Sequence, residues 1–265
     1  MIIIGEDEKM KKSIIKFLVI CICLVVLAPK IDVYAADNYW YAKRNREHRQ
    51  PKCEPSLEYI ERYGGVYVDG RYGDGNAEKV IYLTFDAGYE NGNVEKILNV
   101  MAEENVKGSF FILGHLIDSA PELVKRMAEE GHSVCNHTLT HKNLTKLTEE
   151  KIAEEITSLA NKYKDATGRE MSKFFRPPEG MFNEAVLKKA QELGYKTVFW
   201  SFAYADWDNS SQMAEDVALK KITDNLHNGE IMLLHPTSET NAKIMKQLIT
   251  LLKEQGYRFA TLDEL

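Results

Sequence analysis

Apolar positions along this chain follow two alternating patterns: short uninterrupted runs, and longer stretches with three- and four-residue spacing. The short runs predict β-strands over 80–85, 109–113, 132–136, 174–175, 197–200, 231–234 and 257–260. The stretches between them predict helices over 94–105, 121–130, 148–167, 184–193, 214–226 and 241–255. Glycines at 131, 194 and 256 suit left-handed helix ends. This alternation predicts an α/β fold with a parallel sheet, either closed into a barrel or open and doubly wound.

The N-terminus has the pattern of an export leader. Its apolar run, 17–28, is well short of the roughly 20 residues that a membrane-spanning helix needs. Lys11, Lys12 and Lys16 precede the run, and small residues before Ala36 suit cleavage. We therefore predict a signal peptide over 1–36, and acidic residues upstream of the lysines make Met10 a plausible true start. An uncleaved membrane anchor remains an alternative, and it is the only membrane contact expected.

Composition and charge indicate the rest of the organisation. The 265 residues are 44% hydrophobic and 28% charged, as in an ordinary globular protein, and the net charge of -6 argues against a nucleic-acid partner. Residues 37–77 form a basic, aromatic arm without helical or strand periodicity, which we interpret as a solvated tether. The main domain is predicted over 78–265, and a monomer is expected. A disulfide between Cys53 and Cys135 is left open, since spacing alone fixes no pairing.

Polar residues follow five of the predicted strands. In parallel α/β folds, the carboxyl ends of the strands form the site, so these residues are expected on one rim. A single aspartate there is usually a helix cap, and a single histidine is usually structural. The joint placement predicts an active site built from Asp86, His137, His141, Arg176, Asp206, Trp207 and His235.

Five short motifs in order give the chain a family resemblance. They are TFD at 84–86, HTLTH at 137–141, RPPEG at 176–180, DW at 206–207 and LLH at 233–235. With them, residues 80–265 resemble the NodB-type polysaccharide deacetylases, carbohydrate esterase family four. The stretch 84–92 and the segment Phe199-Trp200-Ser201 look most like the δ-lactam-biosynthetic de-N-acetylases of spore cortex.

The resemblance implies a fold, an activity and a location. The fold would be a distorted (β/α) barrel of seven or eight strands. The activity would be hydrolytic removal of the N-acetyl group from muramic acid in peptidoglycan, before δ-lactam formation. The protein would then act outside the membrane, in the cell envelope or spore cortex, on peptidoglycan glycan strands.

The resemblance also assigns roles to single residues. Asp86 would be the general base, held by Arg176, and His235 would be the general acid, held protonated by Asp206, because a carboxylate neighbour raises a histidine pKa. The residues implied to bind substrate are Trp207, Pro178 and Tyr89.

The sequence departs from the family at the metal site. His137 and His141 match two histidine ligands, but the family's second aspartate, a further ligand, is Ala87 here. Catalytic zinc usually has three protein ligands, so we expect a divalent metal, zinc first, to be held weakly or not at all. Asp86, Glu90 or a substrate oxygen are the alternatives that could complete the shell.

Two other functions remain open. One is deacetylation of N-acetylglucosamine in peptidoglycan or chitin-like glycan. The other is a non-catalytic wall-binding protein, which the loss at Ala87 favours and which the intact base and acid, Asp86 and His235, oppose.

Overall fold

The computed structural model describes residues 36–44, 47–73 and 75–265, and every structural statement below concerns these residues. They belong to one compact unit. The predicted leader lies outside the described residues except for Ala36, and so does the alternative start at Met10. The predicted domain boundary at 78 therefore stays a prediction.

The described chain alternates strands and helices as expected. The strands are β1 Asn38–Tyr39, β2 Lys79–Ala87, β3 Ser109–Ile112, β4 Ser133–Asn136, β5 Phe174–Phe175, β6 Met181–Phe182, β7 Lys196–Thr197, β8 Phe202–Ala203, β9 Glu230–Leu234 and β10 Tyr257–Ala260. The helices are α1 Asn93–Glu103, α2 Gly114–Ser119, α3 Pro121–Glu129, α4 Glu149–Thr167, α5 Glu184–Glu192, α6 Glu215–Thr223 and α7 Glu239–Glu254. Short 3₁₀ turns occur at Glu58–Tyr63, Gly70–Tyr72, Leu144–Lys146, Pro178–Gly180 and Leu262–Glu264.

The main sheet is parallel and curls into a half-barrel. Its strands run in the order β7-β5-β4-β3-β2-β9-β8, and β10 pairs with the first half of β2. The central strand β2 is the longest and is buried along almost its whole length. Leu83 and Phe85, on one face of β2, belong to a hydrophobic cluster that also contains buried side chains of the helices. Tyr82, on the opposite face, belongs to a separate hydrophobic cluster. This confirms the α/β barrel-like fold.

Local signals explain most helix boundaries. Side chains cap three helices: the Thr148 and Ser238 hydroxyls and the Asn183 side-chain oxygen accept hydrogen bonds from backbone N–H groups in the following turns. Gly131 and Gly194 have φ angles of 82° and 79°, the left-handed conformation expected of them. The short helix α2 was not predicted, because six residues are too few to show a helical period.

The strand predicted over 197–200 is wrong in its bounds. The structure has two short strands there, β7 and β8, separated by an irregular segment, 198–201. The reason is a backbone pairing with the arm: Val66 N–H donates to Thr197 O, and Phe199 N–H donates to Val66 O, both near 2.9 Å. Val68 also forms an antiparallel bridge to Glu230 at the start of β9. The arm thus contacts both the segment after β7 and the start of β9.

The arm is not a solvated tether, which corrects the expectation for 37–77. β1 pairs antiparallel with β6, and Trp40 is only 4% exposed. Burial of a large aromatic side chain is a strong local stabilisation, so the arm is held against the domain. Cys53 and Cys135 are both free thiols, so the disulfide left open by the sequence is not formed.

Candidate active site

The register between β2 and β9 places two of the predicted catalytic residues side by side. Phe85 lies opposite Leu234 at the end of this parallel pairing. Asp86 follows Phe85 in the sequence, and His235 follows Leu234. Neighbouring strands lie about 4.8 Å apart, so the two side chains start from adjacent positions on the rim.

The register between β4 and β5 does the same for a second pair. Asn136 lies opposite Phe175 at the end of this pairing, and the next residues are His137 and Arg176. Arg176 N–H donates to Asn136 O at 3.0 Å, which continues the ladder. All four residues therefore reach the same carboxyl-end rim from four different strands.

The guanidinium of Arg176 is completely buried and makes four hydrogen bonds. Nη1 donates to Asp86 Oδ1 at 2.7 Å, and Nη2 donates to Thr84 Oγ1 at 3.0 Å and Phe199 O at 3.2 Å. Nε donates to Val198 O at 3.0 Å. Burying a cation is costly unless it is paired and hydrogen-bonded, and here each of the three guanidinium nitrogens donates at least one hydrogen bond. Arg176 thereby fixes the direction of the Asp86 carboxylate.

The Asp86 carboxylate is held ionised. Burial raises the pKa of Asp86, but the charge of Arg176 together with nearby His137 and His235 outweighs burial and keeps the pKa below its ordinary value. At neutral pH the group is therefore a carboxylate, the form that accepts a proton.

The hydrogen bond to the backbone decides the tautomer of His137. Nδ1 lies 2.8 Å from Arg176 O, and a carbonyl oxygen only accepts, so the proton is on Nδ1. Burial lowers the pKa of His137 to about 4, so the ring is neutral at pH 7. Nε2 then carries a lone pair, and it faces Asp86 Oδ2 at 3.5 Å. His141 packs against this ring with centroids 5.0 Å apart, so the structure brings the two histidines together.

These donors do not fit a three-ligand metal site. Ala87 is fully buried and offers only a methyl group, and among the described residues no group of three His, Cys, Asp or Glu side chains could hold a metal ion. One carboxylate oxygen of Glu90, an alternative ligand, instead accepts from the backbone N–H of Gly92, just before α1. The neutral tautomer of His137 suits a ligand, but the set lacks a third member. No reaction step below is routed through a metal.

His235 is tied to Asp206 at two points. Its Nδ1 lies 2.7 Å from Asp206 Oδ1, and its backbone N–H donates to Asp206 Oδ2 at 2.8 Å. Burial lowers the pKa of His235, but the bond and charge of Asp206 outweigh it and raise the pKa above its ordinary value. Asn241 Nδ2 adds a third donor to this carboxylate at 2.6 Å. The imidazole is thus biased towards its protonated, proton-donating form.

The residues expected to bind substrate differ in exposure. Trp207 is 61% exposed and meets the His235 ring edge-on, with centroids 6.2 Å apart. Tyr89 is 43% exposed, and its hydroxyl accepts from Asn209 Nδ2 at 3.1 Å. Pro178 is buried within the loop that follows Arg176. Trp207 and Tyr89 present free aromatic surface on the His235 side of the rim.

Sequence reasoning missed three residues of this network. Thr84 was quoted only as part of a motif, yet it bonds Arg176 on one side and Met232 O on the other. Asn241 was assigned only to a helix, yet it is fully buried on the apolar face that Ile244 continues. A polar residue at an apolar helical position was the available signal, because a buried amide needs partners. Tyr204, whose hydroxyl donates to Asn241, gave no signal.

Known proteins with similar sequences and structures identify the family of this chain. Residues 73–198 match the polysaccharide deacetylase family. The peptidoglycan-N-acetylmuramic acid deacetylase PdaA of Bacillus subtilis is 41% identical over 228 residues, covering 85% of this chain and 84% of that protein. The solved structure of PdaA, a family 4 carbohydrate esterase, superposes with a TM-score of 0.80 over 86% of this chain and 96% of that chain, at 40% identity.

Two further relatives bear on the alternatives. A peptidoglycan-N-acetylglucosamine deacetylase of Bacillus cereus is 34% identical over 72% of this chain and 89% of its own length. A mutant of BA3943, described as a family 4 pseudoenzyme with restored enzymatic activity, matches with a TM-score of 0.66 at 29% identity, over 71% of this chain and 68% of that chain. The fold therefore occurs with two named sugar substrates and also in a pseudoenzyme.

Proposed function

We propose that this chain, which belongs to the polysaccharide deacetylase family, hydrolyses the N-acetyl group of N-acetylmuramic acid residues in peptidoglycan. The 41% identity to PdaA over 85% of the chain supports this substrate. The catalytic roles below are part of the proposal and rest on the contacts of the site.

One observation carries the proposal: two titratable groups at adjacent strand ends are held in opposite protonation states. Arg176 keeps Asp86 ionised, and Asp206 favours protonated His235. A pair of groups whose pKa values are pushed apart in this way is the arrangement that acid–base hydrolysis needs.

The reaction uses the two groups in order. Asp86 takes a proton from a water molecule as its oxygen adds to the acetyl carbonyl carbon, giving a tetrahedral oxyanion. His235 then gives its proton to the amide nitrogen as the C–N bond breaks. The products are the free amino sugar and acetic acid, and proton exchange with solvent restores the ionised base and the protonated acid.

The two histidines are the candidate ligands for a metal ion. We propose that His137 Nε2 and His141 form a two-point site that binds zinc weakly, because the buried Ala87 offers no third ligand. The lone pair of His137 facing Asp86 at 3.5 Å supports a cation there, because two electron-rich atoms otherwise repel.

The proposed location is outside the membrane. Its support is the leader predicted over 1–36 and a peptidoglycan substrate. Among the residues from Ala36 onward that the structure describes, none of the helices is both long and apolar enough to span a bilayer. N-terminal sequencing of the exported protein should begin at Ala36 or Asp37, and an intact chain in the membrane fraction would contradict cleavage.

The activity is tested with peptide-stripped glycan strands. The proposal predicts acetate release by the purified mature protein, and release that is slower by about 10²- to 10⁴-fold with Asp86→Asn. A protein that binds the glycan but releases no acetate, with or without added divalent metal, would favour the non-catalytic alternative.

A further inference from the structure

Trp40 of the arm is buried behind the segment that holds Arg176. Its Nε1–H donates to Trp200 O at 2.8 Å, and its ring stacks on Phe199 with centroids 4.7 Å apart. Its backbone N–H donates to Gly180 O at 2.9 Å. One residue of the arm therefore contacts both the segment 198–201 and the loop that follows Arg176.

The contacted segment supplies acceptors to the guanidinium. Val198 O and Phe199 O accept from Arg176 Nε and Nη2, at 3.0 and 3.2 Å. These carbonyls lie between β7 and β8, outside the regular strands. Their direction therefore depends on packing from behind, which the arm provides through Trp40 and the backbone of Val66.

The packing leaves no free space at the point of contact. Gly180 has a φ angle of 67°, and a Cβ there would lie 2.7 Å from Trp200 Cη2 and 3.3 Å from Trp40 Cβ. The Trp200 ring in turn lies 5.8 Å from the guanidinium carbon of Arg176. In a core of this density, loss of one ring leaves a cavity that its neighbours close only in part, and that partial closure displaces them.

We propose that Trp40 is a positioning residue of the active site, acting through the 198–201 segment and Arg176 on the direction of the Asp86 carboxylate. Asp86 bonds Arg176 at 2.7 Å, and Trp40 itself touches no reacting atom. This inference rests on the proposed role of Asp86. It makes the arm a part of the catalytic unit, whereas the sequence suggested only a tether.

The first test compares kinetics of Trp40 variants on peptide-stripped glycan. A displacement of about 1 Å costs up to about 10²-fold in rate, so Trp40→Ala should lower kcat about 10- to 100-fold with KM nearly unchanged. Trp40→Phe keeps the stacking on Phe199 and should recover most of the kcat. Tyr41→Ala is the matched control, because Tyr41 is the adjacent aromatic and is 51% exposed, and it should match the wild type.

A double-mutant cycle tests whether the effect passes through Arg176. In an Arg176→Lys background, adding Trp40→Ala should lower kcat little further, because the guanidinium that Trp40 positions is already absent. Fully additive losses would contradict the proposal, as would a Trp40→Ala variant with wild-type kcat.

A spectroscopic test works independently of activity, so it separates this inference from the proposed function. Nitrogen-15 NMR detects the Arg176 Nε–H, identified by its loss in Arg176→Lys. Trp40→Ala should shift this signal and speed its hydrogen exchange, because the acceptor at Val198 moves. An unchanged signal would overturn the proposal. Where Trp40→Ala does not fold, Trp40→Leu replaces it in all three tests.

Discussion

Replacing Asp206 with Asn should impair the acid half of the reaction. The bond between His235 Nδ1 and Asp206 Oδ1 is 2.7 Å long and charge-assisted when the ring is protonated. Hydrogen bonds to charged groups contribute about 1.5–3 kcal/mol, and 1.4 kcal/mol is a factor of ten, so kcat at neutral pH should fall about 10- to 100-fold. The second oxygen also accepts from His235 N–H and Asn241 Nδ2. Asn has only one side-chain oxygen, so if that oxygen keeps these two donors, its NH2 group faces His235 Nδ1 and disfavours a proton there.

The same substitution should also shift the pH dependence of kcat. The carboxylate raises the pKa of His235 against the opposing effect of burial, and activity is lost as pH rises through that pKa, because the acid is then deprotonated. In Asp206→Asn the pKa falls, so the upper limb of the kcat profile should move to lower pH. Acetate release measured from acid to alkaline pH gives both limbs.

Asp208→Asn is the matched control, because Asp208 lies in the same loop and its carboxylate accepts only from Ser210 in the described structure. It should leave both limbs unchanged. An upper limb that stays in place in Asp206→Asn, with kcat near the wild type, would refute the role given to Asp206.

Three other changes test separate parts of the account. Asp86→Asn should lower kcat by about 10²–10⁴ with an unchanged circular dichroism spectrum, because it removes the base; normal turnover would refute that role. Ala87→Asp should tighten zinc binding in titration calorimetry, and equally tight binding by the unmodified protein would mean that another group completes the shell. Burial holds the pKa of Glu230 well above its ordinary value, so the unfolding free energy should fall as pH rises above that value; Glu230→Gln should flatten this fall in urea unfolding, and an unchanged slope would argue against it.

The proposed catalytic rim was predictable because strand ends in a parallel sheet meet at one edge. Asp86, Arg176 and His235 could be placed together from their positions after apolar runs, and their contacts agree with that placement. Asn241 could not be assigned in the same way. Its partners, Asp206 and the carbonyl of His235, are brought to it only by tertiary packing.

The structure of the arm could not be predicted from the periodicity of apolar residues. Its strand β1 has two residues, and it pairs with β6, which follows it by more than 140 positions along the chain. Two residues show no period, and non-local pairing leaves no local signal. The burial of Trp40 was therefore not predictable, although a tryptophan between two tyrosines at 39–41 showed that aromatic surface was available. The metal question was visible, because Ala87 departs from a motif that the rest of the segment keeps.

Locating the lost acetyl group decides which sugar of the glycan strand is the substrate. Peptide-stripped glycan strands would be incubated with the mature protein, digested to disaccharides and analysed by fragmenting mass spectrometry, with Asp86→Asn as the inactive control. The proposed function predicts loss of one acetyl group from the muramic acid residue in the wild-type sample only. Loss confined to the glucosamine residue would contradict the proposed substrate, and no loss from either sugar would contradict the proposed enzyme.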